Sequence, residues 1–341
     1  DPQINIVNNR LKYTFKVISP LIIWGQPIKV SIEASPKIEN GKIKFSDICL
    51  KSKSKKIKKN ILVEAATEEQ AEDRVEQSFA GKYVKLEADL FLQKDLKSTD
   101  IVWPGIGTAD YAFDGYFDGG SRIIKLLKGK PLFTNIGSNA HIECLQLEDV
   151  IGPINGSGCL AEVNNGTLCG CRVYGKNNTS ITLNSGSSSS AGFICGVNNG
   201  TIFACKAQGD FNSAAQYTGG ITGNNTRAIV ASIAIGKINS SYSGSGEKVF
   251  GGISAQKGTS SSITCCRFDK SIMKDVTPVD VNGGEVLGLT TTEMQKEQIV
   301  TDLNNAIKSW SESKYGSDSE KQAHFKTRNY TFHVGQYPRL H

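Results

Sequence analysis

The chain has 341 residues, 38% of them hydrophobic and 8% aromatic, with 39 basic against 33 acidic side chains and a formal net charge of +6. This is the make-up of an ordinary folded protein with room for two or three domains, and the 35 glycines favour a turn-rich all-β chain. No run of about 18 apolar residues occurs, which excludes a membrane-spanning helix. The chain starts at Asp1 with no basic, apolar leader, which fits either a cytosolic protein or a form from which a signal segment has been removed.

Residues 1–62 read as a separate β-rich module. Lys12-Tyr-Thr-Phe-Lys-Val17 and Ile28-Lys-Val-Ser-Ile-Glu33 alternate as strands do, and Glu39-Asn-Gly-Lys42 between Ile38 and Ile43 is a hairpin turn signal. Lys51, Lys53, Lys55, Lys56, Lys58 and Lys59 supply much of the net charge. A basic run can track nucleic acid, but no aromatics interleave with this one and no nucleic-acid motif accompanies it. It reads as a solvated loop or a lysine-guarded sheet edge, and no nucleic-acid partner is expected.

Next, Thr67-Glu-Glu-Gln70 has the pattern of a capping box, and Ala71, Val75 and Phe79 share one helical face, predicting a short helix. Tyr83 to Leu90 alternates and is expected to form a first strand. Asp110, Asp114 and Asp118 lie four apart among glycines. They could bind calcium or form a glycosidase couple, but no calcium-loop pattern surrounds them, and they read as turn aspartates. No catalytic residue, metal site or cofactor is assigned.

From Cys159 the chain repeats itself. Cys159–Cys171, Gly192–Cys205 and Gly220–Ser232 align without gaps in their shared part, placing Leu168, Ile202 and Ile229 in register, and a fourth copy, Gly252–Cys266, needs two extra residues. The steps from Leu168 to Ile202, Ile229 and Ile263 are 34, 27 and 34 residues, so the unit is constant while its connecting loop varies. Repeats of about 20 to 50 residues mark architectures in which each unit buries its apolar face against its neighbours.

Short apolar runs split by Asn-Asn-Gly predict strands and sharp positive-φ turns. Leu168/Cys171, Ile202/Cys205, Ile229/Ser232 and Ile263/Cys266 can all point inward only if the strand bends between them. Ile123/Leu126 and Ile142/Leu145 extend the three-residue step upstream. The expectation is an all-β chain: a right-handed parallel β-helix solenoid over residues 63–285 with helical caps at both ends and a small N-terminal β-rich module.

Nine cysteines suggest a disulfide framework, but Cys171, Cys205 and Cys266 fall on equivalent inward positions and Cys195 lies in another apolar run, so they read as buried thiols. Stacked Cys171 and Cys205 would lie within bridging range. Cys169-Gly-Cys171 and Cys265-Cys266 lack zinc spacing, with only His141, His324, His333 and His341 to complete a site. Asn-x-Thr triplets such as Asn199-Gly-Thr201 coincide with repeat turns. Ser185–Ser190 and Ser240–Glu247 read as variable excursions.

Residues 286–341 form the closing segment. Thr290-Thr-Thr-Glu293 starts a helix whose Ile299, Leu303, Ile307 and Trp310, with Met294, make an apolar stripe expected to seal the last repeat. Trp310 could stack a sugar but reads as core. Ser311–Glu320 is predicted to loop, and Tyr330, Phe332 and Val334 to form a final strand.

The repeats resemble the GLUG motif, Gly-Gly-Leu-Val-Gly-x-Asn-x-Gly-x-Ile followed by Cys. Trp103-Pro-Gly-Ile-Gly-Thr108 with Phe113-Asp-Gly-Tyr-Phe-Asp-Gly119 is similar to the lead-in before such repeats. The resemblance covers roughly residues 63 to 300 and implies a secreted or surface-anchored protein, an adhesin or lipoprotein of the kind found in gut Bacteroidetes and Gram-positive bacteria. The motif also occurs beside immunoglobulin A peptidases, but no His-Glu-x-x-His is present to support a zinc peptidase.

The resemblance therefore implies a non-enzymatic, monomeric extracellular or outer-membrane-surface protein with a host extracellular protein or glycan as partner and no integral membrane segment. The alternative is a carbohydrate-active β-helix enzyme, a polysaccharide lyase or glycoside hydrolase, which would need acids, lysines or arginines clustered on one outward face. In Gly196–Cys205 and Gly223–Ser232 ionisable residues are sparse and Arg227 is isolated, so no activity on acidic or neutral polysaccharides is expected.

Overall fold

The computed structural model describes the backbone of strands between residues 3 and 65, and residues 79–92, 103–175, 180–185, 189–274, 276, 286–316, 318–319 and 327–341. The chain divides into two compact units, 1–77 and 78–341.

In the first unit, β1 (Gln3–Val7), β2 (Arg10–Val17), β3 (Ile28–Glu39), β4 (Lys42–Ser52) and β5 (Val63–Ala65) form one antiparallel sheet in sequence order. Ile38 pairs with Ile43 and Glu39 with Lys42, the register that the Asn-Gly signal predicts. Because β5 pairs with β4, this sheet continues past residue 62. Lys51 lies in β4; the rest of the lysine cluster lies outside the described residues.

The second unit is mostly short parallel strands in stacked sheets, an arrangement compatible with a β-helix. A seven-stranded sheet pairs the strands beginning at Tyr83, Tyr116, His141, Thr167, Thr201, Ala228 and Ser262, each with its counterpart one repeat later. An eight-stranded sheet does the same from Leu90 through Ile123, Gln146, Arg172, Lys206, Ile233 and Cys266 to Val286. A five-stranded sheet stacks the strands from Phe133 to Ser254. Two three-stranded sheets, from Ile181 and from Ser190, arise in the variable part of the repeat. The serine-rich segment expected to be a loop therefore ends in a paired strand, Ser190–Gly192.

Leu168, Ile202, Ile229 and Ile263 stack in register and are wholly buried. Cys171, Cys205, Ser232 and Cys266, three residues on, are buried as well. The bend between the members of each pair is a left-handed residue: Gly170 at φ 63°, Ala204 at 49°, Ala231 at 48° and Cys265 at 51°. That conformation is strained for a residue with a Cβ and persists only where packing enforces it.

The same step holds at Ile142/Leu145, with Cys144 at φ 49° between them. It fails at Ile123/Leu126: Ile123 pairs with Gln146, and Phe117 is the partner of Ile142. Two extra residues between Phe117 and Ile123 shift that turn.

The Asn-Asn-Gly turn differs from its prediction. Neither its asparagines nor Gly166 and Gly200 take positive φ. Asn164 Nδ2 donates to Asn198 Oδ1 at 2.8 Å, and Asn198 Nδ2 to Asn225 Oδ1 at 2.7 Å, a fully buried amide ladder between repeats. Gly200 is required by close approach, since a Cβ there would run into the Gly166 carbonyl.

Tyr83–Leu90 is two short strands, Tyr83–Lys85 and Leu90–Phe91, in different sheets. Most of the N-terminal helix predicted from Thr67 lies outside the described residues. Its last expected member, Phe79, has φ 53°, which is not helical, and packs its ring on Phe113 at 5.7 Å.

At the other end, α1 (Thr291–Met294) carries the predicted capping box, Thr290 N donating to the Glu293 carboxylate at 2.8 Å. α2 (Glu297–Tyr315) follows after a break, so the predicted loop starting at Ser311 is still helical to Tyr315. Its buried Ile299, Val300, Leu303 and Ile307 pack with Cys169, Phe203, Val230 and Ala231. Cys169, Phe203 and Val230 each follow an inward residue and so face outward. The stripe therefore lies along the flank of several repeats; α1 packs on the last two strands of the eight-stranded sheet, and Asp302 of α2 reaches Arg267 of the first of them at 3.8 Å. Outward apolar side chains at successive positions demand that cover. Trp310 packs on Phe203 with its ring tilted, the centres 4.4 Å apart.

The final segment runs across the repeats. Tyr330–Thr331 pairs with Arg339–Leu340, so the predicted strand ends early, and Val334 is 87% exposed. The buried Tyr330 hydroxyl donates to the carbonyls of Ala231 at 2.8 Å and Cys205 at 3.3 Å. Among the described residues no helix is long and apolar enough to cross a membrane.

Candidate functional site

The outer face of the eight-stranded sheet and the final segment enclose a groove of about 710 Å³. Register builds its floor. Gln146, Arg172 and Lys206 occupy one position of three successive strands, and Glu148, Tyr174 and Gln208 belong to the same strands two residues further on. Period-two alternation turns these outward while Leu147, Val173 and Ala207 are buried on the inner face. Gln336, Tyr337 and Arg339 form the opposite wall.

The electrostatics are one-sided. Arg172 Nη1 donates to the Leu340 carbonyl at 2.9 Å, Lys206 Nζ to the Pro338 carbonyl at 3.0 Å, and Arg339 Nη2 to Gln336 Oε1 at 2.6 Å. All three acceptors are uncharged. Glu148 is the sole carboxylate lining the groove, and it is held by Lys125 Nζ at 3.0 Å and by the Gln146 amide.

Lys206 is 4% exposed, and its ammonium lies 5.7 Å from the centre of the Tyr174 ring. Burial, with Arg172 and Arg339 beside it, pushes its pKa down to about 8. Arg172 Nε is buried without a hydrogen-bond partner. The Tyr337 hydroxyl, donating to Asp269 at 2.5 Å, is raised to about 12 by burial and that bond.

A second cluster sits on the outer face of the seven-stranded sheet. His141, Glu143 and Cys169 bring their ligand atoms within 4.8 Å of one another. His141 Nε2 lies 3.1 Å from Glu143 Oε2, and Arg328 Nη2 lies 3.2 Å from the same oxygen. The guanidinium already supplies the positive charge, so a metal ion would have to displace it. Tyr83, Tyr116 and His141 stack above this knot at 5.1 and 4.8 Å.

The aspartates act in turns. Asp114 accepts from the backbone N and the side-chain amide of Asn139, both at 2.8 Å, and Asp118 from Gly120 N at 2.7 Å and the Tyr83 hydroxyl at 2.8 Å. Asp110 is exposed. The eight cysteines with described side chains are buried and unbridged, including the stacked Cys171 and Cys205.

Sequence reasoning missed the groove because its cations sit one residue beyond the aligned unit. Arg172 and Lys206 each directly follow a repeat cysteine, as does Arg267 outside the groove lining, where it faces Asp302, so the signal was a basic residue at the same place in three of four copies. Arg339 joins them from a segment with no repeat pattern.

Compared with known protein families, with curated proteins and with solved structures, the chain matches none.

Proposed function

We propose that the stacked sheets are the walls of a right-handed parallel β-helix, and that the chain is a non-enzymatic extracellular binding protein. In this reading it is a cell-surface adhesin presenting a polar groove and variable loops to a host protein or glycan. Parallel strands joined within one sheet connect right-handedly in nearly all proteins, which supports the handedness. The observation that carries the binding role is the groove: 710 Å³ in volume, within the usual range of ligand sites, and lined by cations bonded only to uncharged acceptors. Its single carboxylate is engaged by Lys125, so no acid is set opposite a base for hydrolysis.

A second reading, a polysaccharide lyase, draws support from Lys206, whose pKa near 8 suits proton abstraction beside two guanidinium groups. A glycan and extracellular-matrix array probed with the purified protein tests the first reading. The expected result is selective capture with no change in the captured polysaccharide. Failure to bind anything on the array, or the growth of unsaturated uronate absorbance on incubation with polyuronates, would overturn it.

A further inference from the structure

Resting on the proposed binding role, the groove's chemistry narrows the ligand. Three cations converge without an acid of their own, and the most buried of them lies under the final segment. A buried ammonium held only by a carbonyl and a ring is under-compensated, and an entering anion restores what desolvation removed. The remaining lining is side-chain amide and phenol: Gln208 and Gln336 offer paired donors and acceptors, and Tyr174 and Tyr337 offer ring surface.

We propose that this groove binds the anionic group of a short acidic saccharide, a carboxylate or a sulfate ester. Arg172, Lys206 and Arg339 take its charge, and the glutamines and tyrosines contact the neighbouring hydroxyls and sugar ring. A polyanionic nucleic acid fits poorly, because the cations are gathered at one place in the groove and form no track along a backbone. An acidic peptide would leave the amide lining with few hydroxyls to meet.

Calorimetry on the full chain provides the test, with a short oligouronate, a sulfated oligosaccharide of equal length and a neutral one as titrants. Binding of either acidic sugar at least tenfold tighter than the neutral one is expected, and the stronger of the two identifies the group. Arg339→Gln, at an exposed position, should weaken acidic binding by roughly ten- to a hundredfold while leaving the circular dichroism unchanged. Lys206→Met should do the same.

Equal affinity for acidic and neutral sugars, indifference to Arg339→Gln, or tighter binding of oligoglutamate than of either acidic sugar overturns the proposal. So does inorganic sulfate binding as tightly as the saccharide, which would mark a bare ion site. If acidic sugars fail while the array captures another ligand, the inference falls and the adhesin role stands. If the oligouronate binds and is cleaved, the ligand class stands and the non-enzymatic role falls.

Discussion

Lys206 shows how a single side chain carries both a cost and a use. Its folded pKa of about 8 lies below the ordinary 10.5. The unfolded chain therefore holds the proton that the folded chain gives up between those values, and stability rises with pH across that window. The cost is fully present below pH 8 and amounts to about 3 kcal/mol from the shift. The charged and titratable groups around it are Arg172, Tyr174 and Glu148 on the sheet and Tyr337, Arg339 and His341 on the final segment. Denaturant titrations of wild type and Lys206→Met at pH 7 and pH 10 isolate this group from the buried thiols, whose raised pKa values lower stability over the same range. Lys206→Met should be more stable than wild type at pH 7 and lose that advantage at pH 10.

The thiols are inert through burial, although hydrogen bonds from Cys205 and the backbone draw the Cys171 thiol down while it stays wholly buried. Burial raises Cys195 and Cys266 to about 12 and Cys144 to about 11. A thiol reagent at neutral pH should leave the eight described cysteines unmodified until denaturant is added; rapid native labelling would contradict their placement. The inward reading of Cys171, Cys205 and Cys266 was available from the repeat register. The groove cations were not read, because a residue placed just after a core cysteine carries no sign of which outward face it shares until the strands are stacked.

At the scale of the repeat, the Asn-Asn-Gly turn is held by chemistry between copies. Asn198 both receives from Asn164 and donates to Asn225, so Asn198→Ala leaves the Asn164 amide only the Thr201 carbonyl and Asn225 Oδ1 only the Arg227 N–H, both at a long 3.4 Å. A loss of about 2 to 4 kcal/mol in chemical denaturation is expected. Gly200→Ala should cost at least as much, through the clash with the Gly166 backbone.

The apolar spacing made the strands and their bends legible, since only a bent chain places Ile202 and Cys205 on one side. It could not show whether the asparagines serve φ or hydrogen bonding, because both uses favour the same residue. Nor could it show that Phe117 replaces Ile123 in the upstream ladder, a shift caused by two inserted residues.

At the scale of the whole second unit, α2 and the final segment tie separate repeats together along one flank. Tyr330 bonds two turns at once, and Arg328 reaches Glu143. Tyr330→Phe removes the hydroxyl from the Ala231 carbonyl and leaves the Cys205 carbonyl only the Ile233 N–H, and should lower stability by about 1 to 3 kcal/mol. Hydrogen exchange should speed up across residues 327–341 and the edge they cover; unchanged protection would mean the hydroxyl is not the fastening. The sequence revealed the helix and its stripe but placed it on the last repeat. The outward row of Cys169, Phe203 and Val230 that draws it sideways becomes visible only with strand register.

Because Gln336, Tyr337 and Arg339 build one wall of the groove, the site comes into existence only when those late residues have been translated and laid against strands made long before. A nascent chain arrested before residue 327 would stack its repeats yet lack the groove's second wall. Groove assembly thereby waits on residues 336–339, and a frameshift just before residue 327 would remove the groove while sparing the scaffold.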